Sequence, residues 1–158
     1  MARLIGLISD THGLVRPEVH SALAGVEVIL HAGDVGGREI LDELSLIAPV
    51  RAVYGNTDPI DHPRLVESLV HDVDGVAIHV SHGHEVGSPN PARLVARYPY
   101  AVLVYGHTHR PLITRIGDQL IVNPGAAGAR RFDLQPSVAR LTIEDGRAEV
   151  ELVSLRVD

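Results

Sequence analysis

The stretch Leu4-Ile5-Gly6-Leu7-Ile8-Ser9-Asp10-Thr11-His12-Gly13 runs from an apolar segment straight into a polar, glycine-bounded tail. Leu4–Ser9 has the length of a buried strand, and the tail reads as the loop that follows it. Outward from this stretch the same pattern recurs. The apolar run Val26–His31 is closed by Ala32-Gly33-Asp34, and Val50–Tyr54 by Gly55-Asn56-Thr57-Asp58. Between them, residues 18–23 follow Pro17 and stop at Gly25, as a short helix does. Residues 38–47 place Ile40, Leu41, Leu44 and Ile47 on one helical face. A β-α-β-α-β order predicts a parallel sheet covered on both faces.

The second half has a different grammar. Residues 69–73 and 76–81 flank an Asp-Gly pair, 112–116 and 119–123 flank Gly-Asp, and 138–143 and 148–155 flank Asp145-Gly146. Each reads as a hairpin. Residues 91–98 form a short helix, and Ala101–Tyr105 is a further buried strand. The expected fold class is therefore α/β, with two packed mixed β-sheets flanked by helices in one domain over residues 1–158.

Composition removes several chemistries. The chain has no Cys, so disulfides, thiolate nucleophiles and zinc fingers are excluded. All 14 basic residues are Arg, so neither a P-loop lysine nor a Schiff-base lysine exists. A net charge of -6 argues against a broad nucleic-acid surface. No apolar run approaches the roughly 20 residues of a membrane helix, and the first residues lack a signal-peptide pattern. A cytoplasmic protein with no membrane contact is expected.

The polar clusters Asp10/His12, Asp34, Asn56, His82/His84 and His107/His109 each follow an apolar strand. Ligands in open α/β sheets bind at the carboxyl ends of strands, so the clusters should meet on one rim. In extended chain, residues i and i+2 face the same way, which would let Asp10 pair with His12 and His107 with His109. Asp10, His12, Asp34, Asn56, His82, His107 and His109 are the candidate metal ligands. Imidazole, carboxylate and amide without sulfur suit Mn, Fe, Zn or Ni. Seven ligands exceed one tetrahedral site and fit two divalent ions, a device suited to in-line attack at phosphorus. For Asn56 an Asx turn is the competing reading, and His84 is either substrate-facing or a solvated loop residue. His31 is either a support for the cluster or a buried hydrogen-bonding residue. His20, His62, His71 and His79 read as surface or hydrogen-bonded, Asp58 and Asp61 as loop-solvating charges. Arg130 or Arg131 could grip a phosphate oxygen bidentately, though solvation is the simpler reading.

Asp10-Thr-His12, Gly33-Asp34, Gly55-Asn56, His82-Gly83-His84 and Gly106-His107-Thr108-His109, in that order, resemble the motifs of the calcineurin-like metallophosphoesterase superfamily. The small size is similar to its compact phosphodiesterase branch, which also contains the retromer scaffold subunit. The resemblance runs from residue 8 to about 131. It implies a four-layer α/β/β/α sandwich and two divalent transition metals, with Mn preferred and Fe, Zn or Ni as alternatives. It further implies that Asp10, His12 and His109 hold one ion, Asn56, His82 and His107 the other, and Asp34 bridges them. The implied reaction is hydrolysis of a small phosphate ester, preferably a diester, by a metal-activated water, with Asp34, Asn56 and His84 in catalytic roles. The alternatives are a phosphomonoesterase or nucleotide phosphatase, or a non-catalytic interaction scaffold on the same fold. A homo-oligomer is compatible with all of them. The chain departs from the family at Thr57, where many members carry a His thought to act as general acid and the compact branch a Cys. It departs again at Ala126, in place of Ser.

Overall fold

The computed structural model describes residues 2–130 and 133–155. One sheet contains β1 (Arg3–Ile8), β2 (Val28–His31), β3 (Val50–Val53), β4 (Leu65–Val66), β10 (Ser137–Glu144) and β11 (Arg147–Ser154), in the order β11-β10-β1-β2-β3-β4. β1 to β4 are mutually parallel, and β10 adds antiparallel to β1. The other sheet contains β5 (Ser68–Val73), β6 (Val76–Ser81), β7 (Val102–Val104), β8 (Leu112–Ile116) and β9 (Gln119–Asn123), in the order β5-β6-β7-β9-β8. There β6, β7 and β9 are parallel, with antiparallel strands at both edges. Both sheets are mixed, as expected.

The layering follows from alternation along each strand. Ile5 and Leu7 of β1, with Val28 and Leu30 of β2, face Ile78, Val80, Val102, Val104, Leu120 and Val122 of the second sheet in one apolar cluster. Ile8 and Ile29 point the other way, onto Val19 of α1 (Glu18–Ala22), its C-cap residue Leu23, and Ile40, Leu41 and Leu44 of α2 (Arg38–Leu44). On the far side, Leu103 and Ile121 pack with Leu94 of α3 (Pro91–Arg97). Asn90 caps α3 by accepting from Arg93 N at 2.9 Å, and Pro91 takes the first helical position. The result is the expected α/β/β/α sandwich.

Two of the hairpins turn through left-handed backbone. Asp74-Gly75 and Asp145-Gly146 have φ of 51° and 85°, and of 53° and 74°, the type I′ pattern that matches strand twist. Two short elements carry no sequence signature: β4 has only two residues, and His84–Val86 forms a single 3-10 turn. Among the described residues no helix is long and apolar enough to cross a membrane.

Candidate metal centre

The candidate ligands lie where β1, β2, β3, β6 and β7 end. Asp10, His12, Asp34, His107 and His109 all have positive φ, between 46° and 72°. The expectation that Asp10/His12 and His107/His109 pair along extended chain is therefore corrected: they converge through left-handed turns. Left-handed backbone in a non-glycine residue is strained and persists only when its surroundings hold it. Here the β1 and β2 loops hold each other, through Asp10 N to Gly33 O, His12 N to Asp34 O and Gly13 N to Val35 O at 2.9–3.0 Å.

The carboxylates share a design. Asp10 Oδ2 accepts from Ser9 Oγ at 2.6 Å and from His107 N at 3.2 Å, which turns Oδ1 inward. Asp10 Oδ1 then lies 3.3 Å from His109 Nε2, 3.6 Å from His12 Nε2 and 3.9 Å from His82 Nε2. Asp34 Oδ1 accepts from both the backbone N and the Oγ1 of Thr57, at 2.9 and 2.7 Å. Its Oδ2 lies between His82 Nε2 at 3.2 Å and His12 Nε2 at 3.5 Å. Glycines make the room for this. A Cβ on Gly55 would collide with Asp34 Oδ1, and one on Gly106 would come within 2.6 Å of Asp10 Oδ2.

The ring nitrogens are oriented as well. His82 Nδ1 donates to Ala32 O at 2.8 Å, so in the neutral ring Nε2 carries a lone pair. That lone pair faces Asn56 Oδ1 at 3.0 Å and Asp34 Oδ2 at 3.2 Å, and His107 Nδ1 meets the same Asn56 oxygen at 3.1 Å. Acceptors converging on acceptors require a proton or a metal cation between them. Asp10 Oδ1 and His12 Nε2 are buried atoms with no hydrogen-bond partner at all. An unpartnered buried carboxylate oxygen is costly unless a cation satisfies it. The donor atoms of Asp10, His12 and His109, and likewise those of Asp10, Asp34 and His82, lie within 4.8 Å of one another. The donor set thus fits divalent metal.

The electrostatics agree. Burial pushes the Asp10 carboxyl up, but the rings of His109, His12 and His82 and the Ser9 hydroxyl outweigh it and hold it well below the usual carboxylate range. Burial opposes ionisation of Asp34 too, and His82 and Thr57 overcome it. Burial lowers His82, yet Asp34 and Asp10 leave it net raised, while burial and His82 lower His107. Anionic aspartates are the state in which a metal binds.

His84 stands apart. Its ring centroid is 5.4 Å from that of His82 and 6.3 Å from that of His107, and its Nδ1 is buried without a partner. Sequence reasoning missed several supports. Thr57 is tied to Asp34. Asp58, read as a solvated loop charge, is buried; its carboxylate accepts from Val35, Gly36 and Gly55 N at 2.9–3.2 Å and so ties the β2 and β3 loops together. Asn123 donates to Gly106 O and Thr108 Oγ1, holding the loop of His107 and His109. His31 is fully buried: its Nδ1 accepts from Gly33 N, and its Nε2 meets Thr11 Oγ1, which donates on to Val35 O. His79, grouped with the surface histidines, is buried at 4.0 and 5.2 Å from the rings of Tyr98 and Tyr100. Arg130 is exposed, and Arg131 lies outside the described residues.

Comparison with known proteins matches this architecture to named relatives. A probable metallophosphoesterase of Methanothermobacter thermautotrophicus is 37% identical, over 95% of this chain and 91% of its own. A phosphodiesterase of Methanocaldococcus jannaschii is 28% identical, over 77% of this chain and 82% of its own. Among solved structures, zinc-complexed Vps29 from Entamoeba histolytica shares the fold, with a TM-score of 0.77, 24% identity and coverage of 96% of this chain and 98% of that one. The family model for the calcineurin-like phosphoesterase superfamily domain matches residues 4–146, and the chain belongs to that superfamily.

Proposed function

We propose that the chain is a metal-dependent phosphodiesterase using two divalent ions. Asp10, His12 and His109 would hold the first and Asn56, His82 and His107 the second, with Asp34 available to both. The observation that carries this reading is the inward, unpartnered pair Asp10 Oδ1 and His12 Nε2, beside a His82 Nε2 whose lone pair meets the oxygens of Asn56 and Asp34. The relative named as a phosphodiesterase supports the choice of diester over monoester.

When bound, the ions supply Lewis acidity toward phosphate oxygens and bring the pKa of water to about 7. The protein's own contribution is preorganisation. Ser9 and Thr57 each fix one oxygen of an aspartate so that the other faces the site histidines. Ala32 O fixes the tautomer of His82. His84, whose ring centroid stands 5.4 Å from that of His82, is the residue we assign to carry a proton to the leaving oxygen. Thr57 cannot do so, because its hydroxyl is committed to Asp34.

The test is reconstitution of metal-free protein with Mn, Fe, Zn or Ni, followed by hydrolysis of aryl and alkyl diesters and monoesters. Two ions per chain and diester turnover that a chelator reversibly abolishes are expected. Full activity without metal, or metal loading without hydrolysis of any ester, would refute the reading; the second result would leave a metal-bearing scaffold.

A further inference from the structure

Beside the metal centre runs a groove of about 510 Å³, walled by Pro89, Pro91, Tyr105, Pro111, Leu112 and Leu134. That volume lies within the range of small-molecule sites. The groove shares walls with two of the loops that carry the site histidines. Thr108, between His107 and His109, lines it and is held there by Asn123. Gly83, between His82 and His84, packs so closely on the same wall that a Cβ would come within 3.0 Å of Pro89 and 3.5 Å of Tyr105. Two further cavities, lined in part by Arg147 and Glu149, lie by the β10–β11 turn. Arg3, at the start of β1, pairs with Ile143 near that turn, so they are at the opposite end of the sheet from the site.

We propose that this groove receives an aromatic arm of a phosphodiester whose phosphorus sits at the Asp/His cluster. The proposal rests on the phosphoesterase reading above and specifies its substrate. A diester differs from a monoester in having an organic group on each side of phosphorus and only one negative charge. One side therefore needs an apolar seat next to the metals, and the groove is that seat. Among the described residues no acidic side chain lines it, and the one charged residue that does is Arg110. An anionic ester is attracted there, and the planar guanidinium offers a stacking face to a ring. Prolines and Tyr105 give flat, rigid walls, which suit an aryl or nucleobase ring better than a flexible chain. Thr108 and Asn90 supply hydrogen-bonding groups along the wall.

The experiment uses the metal-loaded wild type, Leu134→Gln and Arg110→Gln. Bis(4-nitrophenyl) phosphate is the substrate and inorganic phosphate, which has no arm, the competitive inhibitor. Leu134 is half-buried and Arg110 exposed, so both variants should fold; thermal unfolding checks this. Loss of apolar contact in Leu134→Gln should raise KM for the diester about fivefold, with kcat and the inhibition constant for phosphate unchanged. Arg110→Gln should raise KM as well. Unchanged KM in both variants overturns the groove proposal while leaving the enzyme reading intact. An equal rise in the phosphate constant in Leu134→Gln overturns it too, since the change would then lie in the metal site. A wild type that hydrolyses no ester overturns both. If sedimentation shows a dimer that Leu134→Gln dissociates while KM stays fixed, a second copy of the chain occupies the groove and the substrate assignment falls.

Discussion

Single side chains set what the two aspartates offer to metal. Thr57 donates twice to one oxygen of Asp34, which leaves the other to face His12 and His82. Thr57→Val removes the hydroxyl and keeps the shape and the backbone donor. Losing such an outer partner of a ligand typically costs roughly 10–100-fold in metal affinity. Metal competition against a chromophoric chelator should show a loss at the lower end of that range for Val, and near-normal affinity for Thr57→Ser. Equal affinity in wild type and Val would show that the hydroxyl bond is idle. His84 makes a different prediction. As the acid for the leaving oxygen it should matter for poor leaving groups only, because nitrophenolate departs without a proton. His84→Ala should keep its metals, lose roughly 10²-fold or more on alkyl esters and lose little on nitrophenyl esters. A uniform loss across the series would remove it from that role. Much of this candidate site was legible in the chain, because candidate metal ligands must be His, Asp or Asn and each follows an apolar run. Thr57, Asp58 and Asn123 were not. Their work depends on which loop lies opposite, 23 residues away for the bond from Thr57 to Asp34, and no local pattern encodes that.

Elements hold the site by the way strand ends are locked to one another. His31 closes β2, and its ring joins the β1 and β2 loops through Thr11, Gly33 and Val35. Burial lowers its pKa to about 4, from an ordinary value of 6.5. In the unfolded chain the imidazole therefore takes up its proton first as pH falls. The neutral ring's contribution to stability is complete above about pH 6.5 and is lost progressively as pH drops toward 4. The full loss is about 3 kcal/mol. Urea unfolding in the presence of a chelator, at pH 7.5 and pH 5, should show this decline. In His31→Asn the decline should be shallower, whatever its absolute stability. An equal pH slope in both proteins would show that His31 does not titrate across the folding transition. At this scale the sequence was read well where periodicity was strong. The β8–β9 hairpin falls at its expected bounds, and most other elements within one or two residues. It was silent on β4 and on the 3-10 turn at His84, since two or three residues cannot show a period. The order of strands within each sheet was also hidden. It is set by pairing between distant segments, such as β10 beside β1.

At the scale of the whole molecule, the Asp/His cluster is where the two sheets are joined at one end of the sandwich. Asp10, His12, Asp34 and Asn56 come from the loops of one sheet, and His82, His107 and His109 from those of the other. Without a cation this junction works against the fold. Two buried carboxylates lie side by side, five of the candidate ligand residues hold left-handed backbone, and the lone pair of His82 meets acceptors. A metal that binds only when both sets are assembled must then stabilise the folded chain, and by mass action the effect must grow with metal concentration. At 100 times the dissociation constant, one site contributes about 2.7 kcal/mol. For a chain of this size that corresponds to a rise in Tm of roughly 5–10 °C, and a second site adds to it. Thermal unfolding of chelator-treated protein across a series of MnCl2 concentrations should show a Tm that climbs with the logarithm of free metal. Asp34→Ala, lacking the carboxylate that stands between the histidines of both sheets, should lose most of that climb while folding normally without metal. A wild-type Tm indifferent to Mn, Fe, Zn and Ni alike would mean that protons, not metals, satisfy the cluster, and the two-ion reading would fall with it.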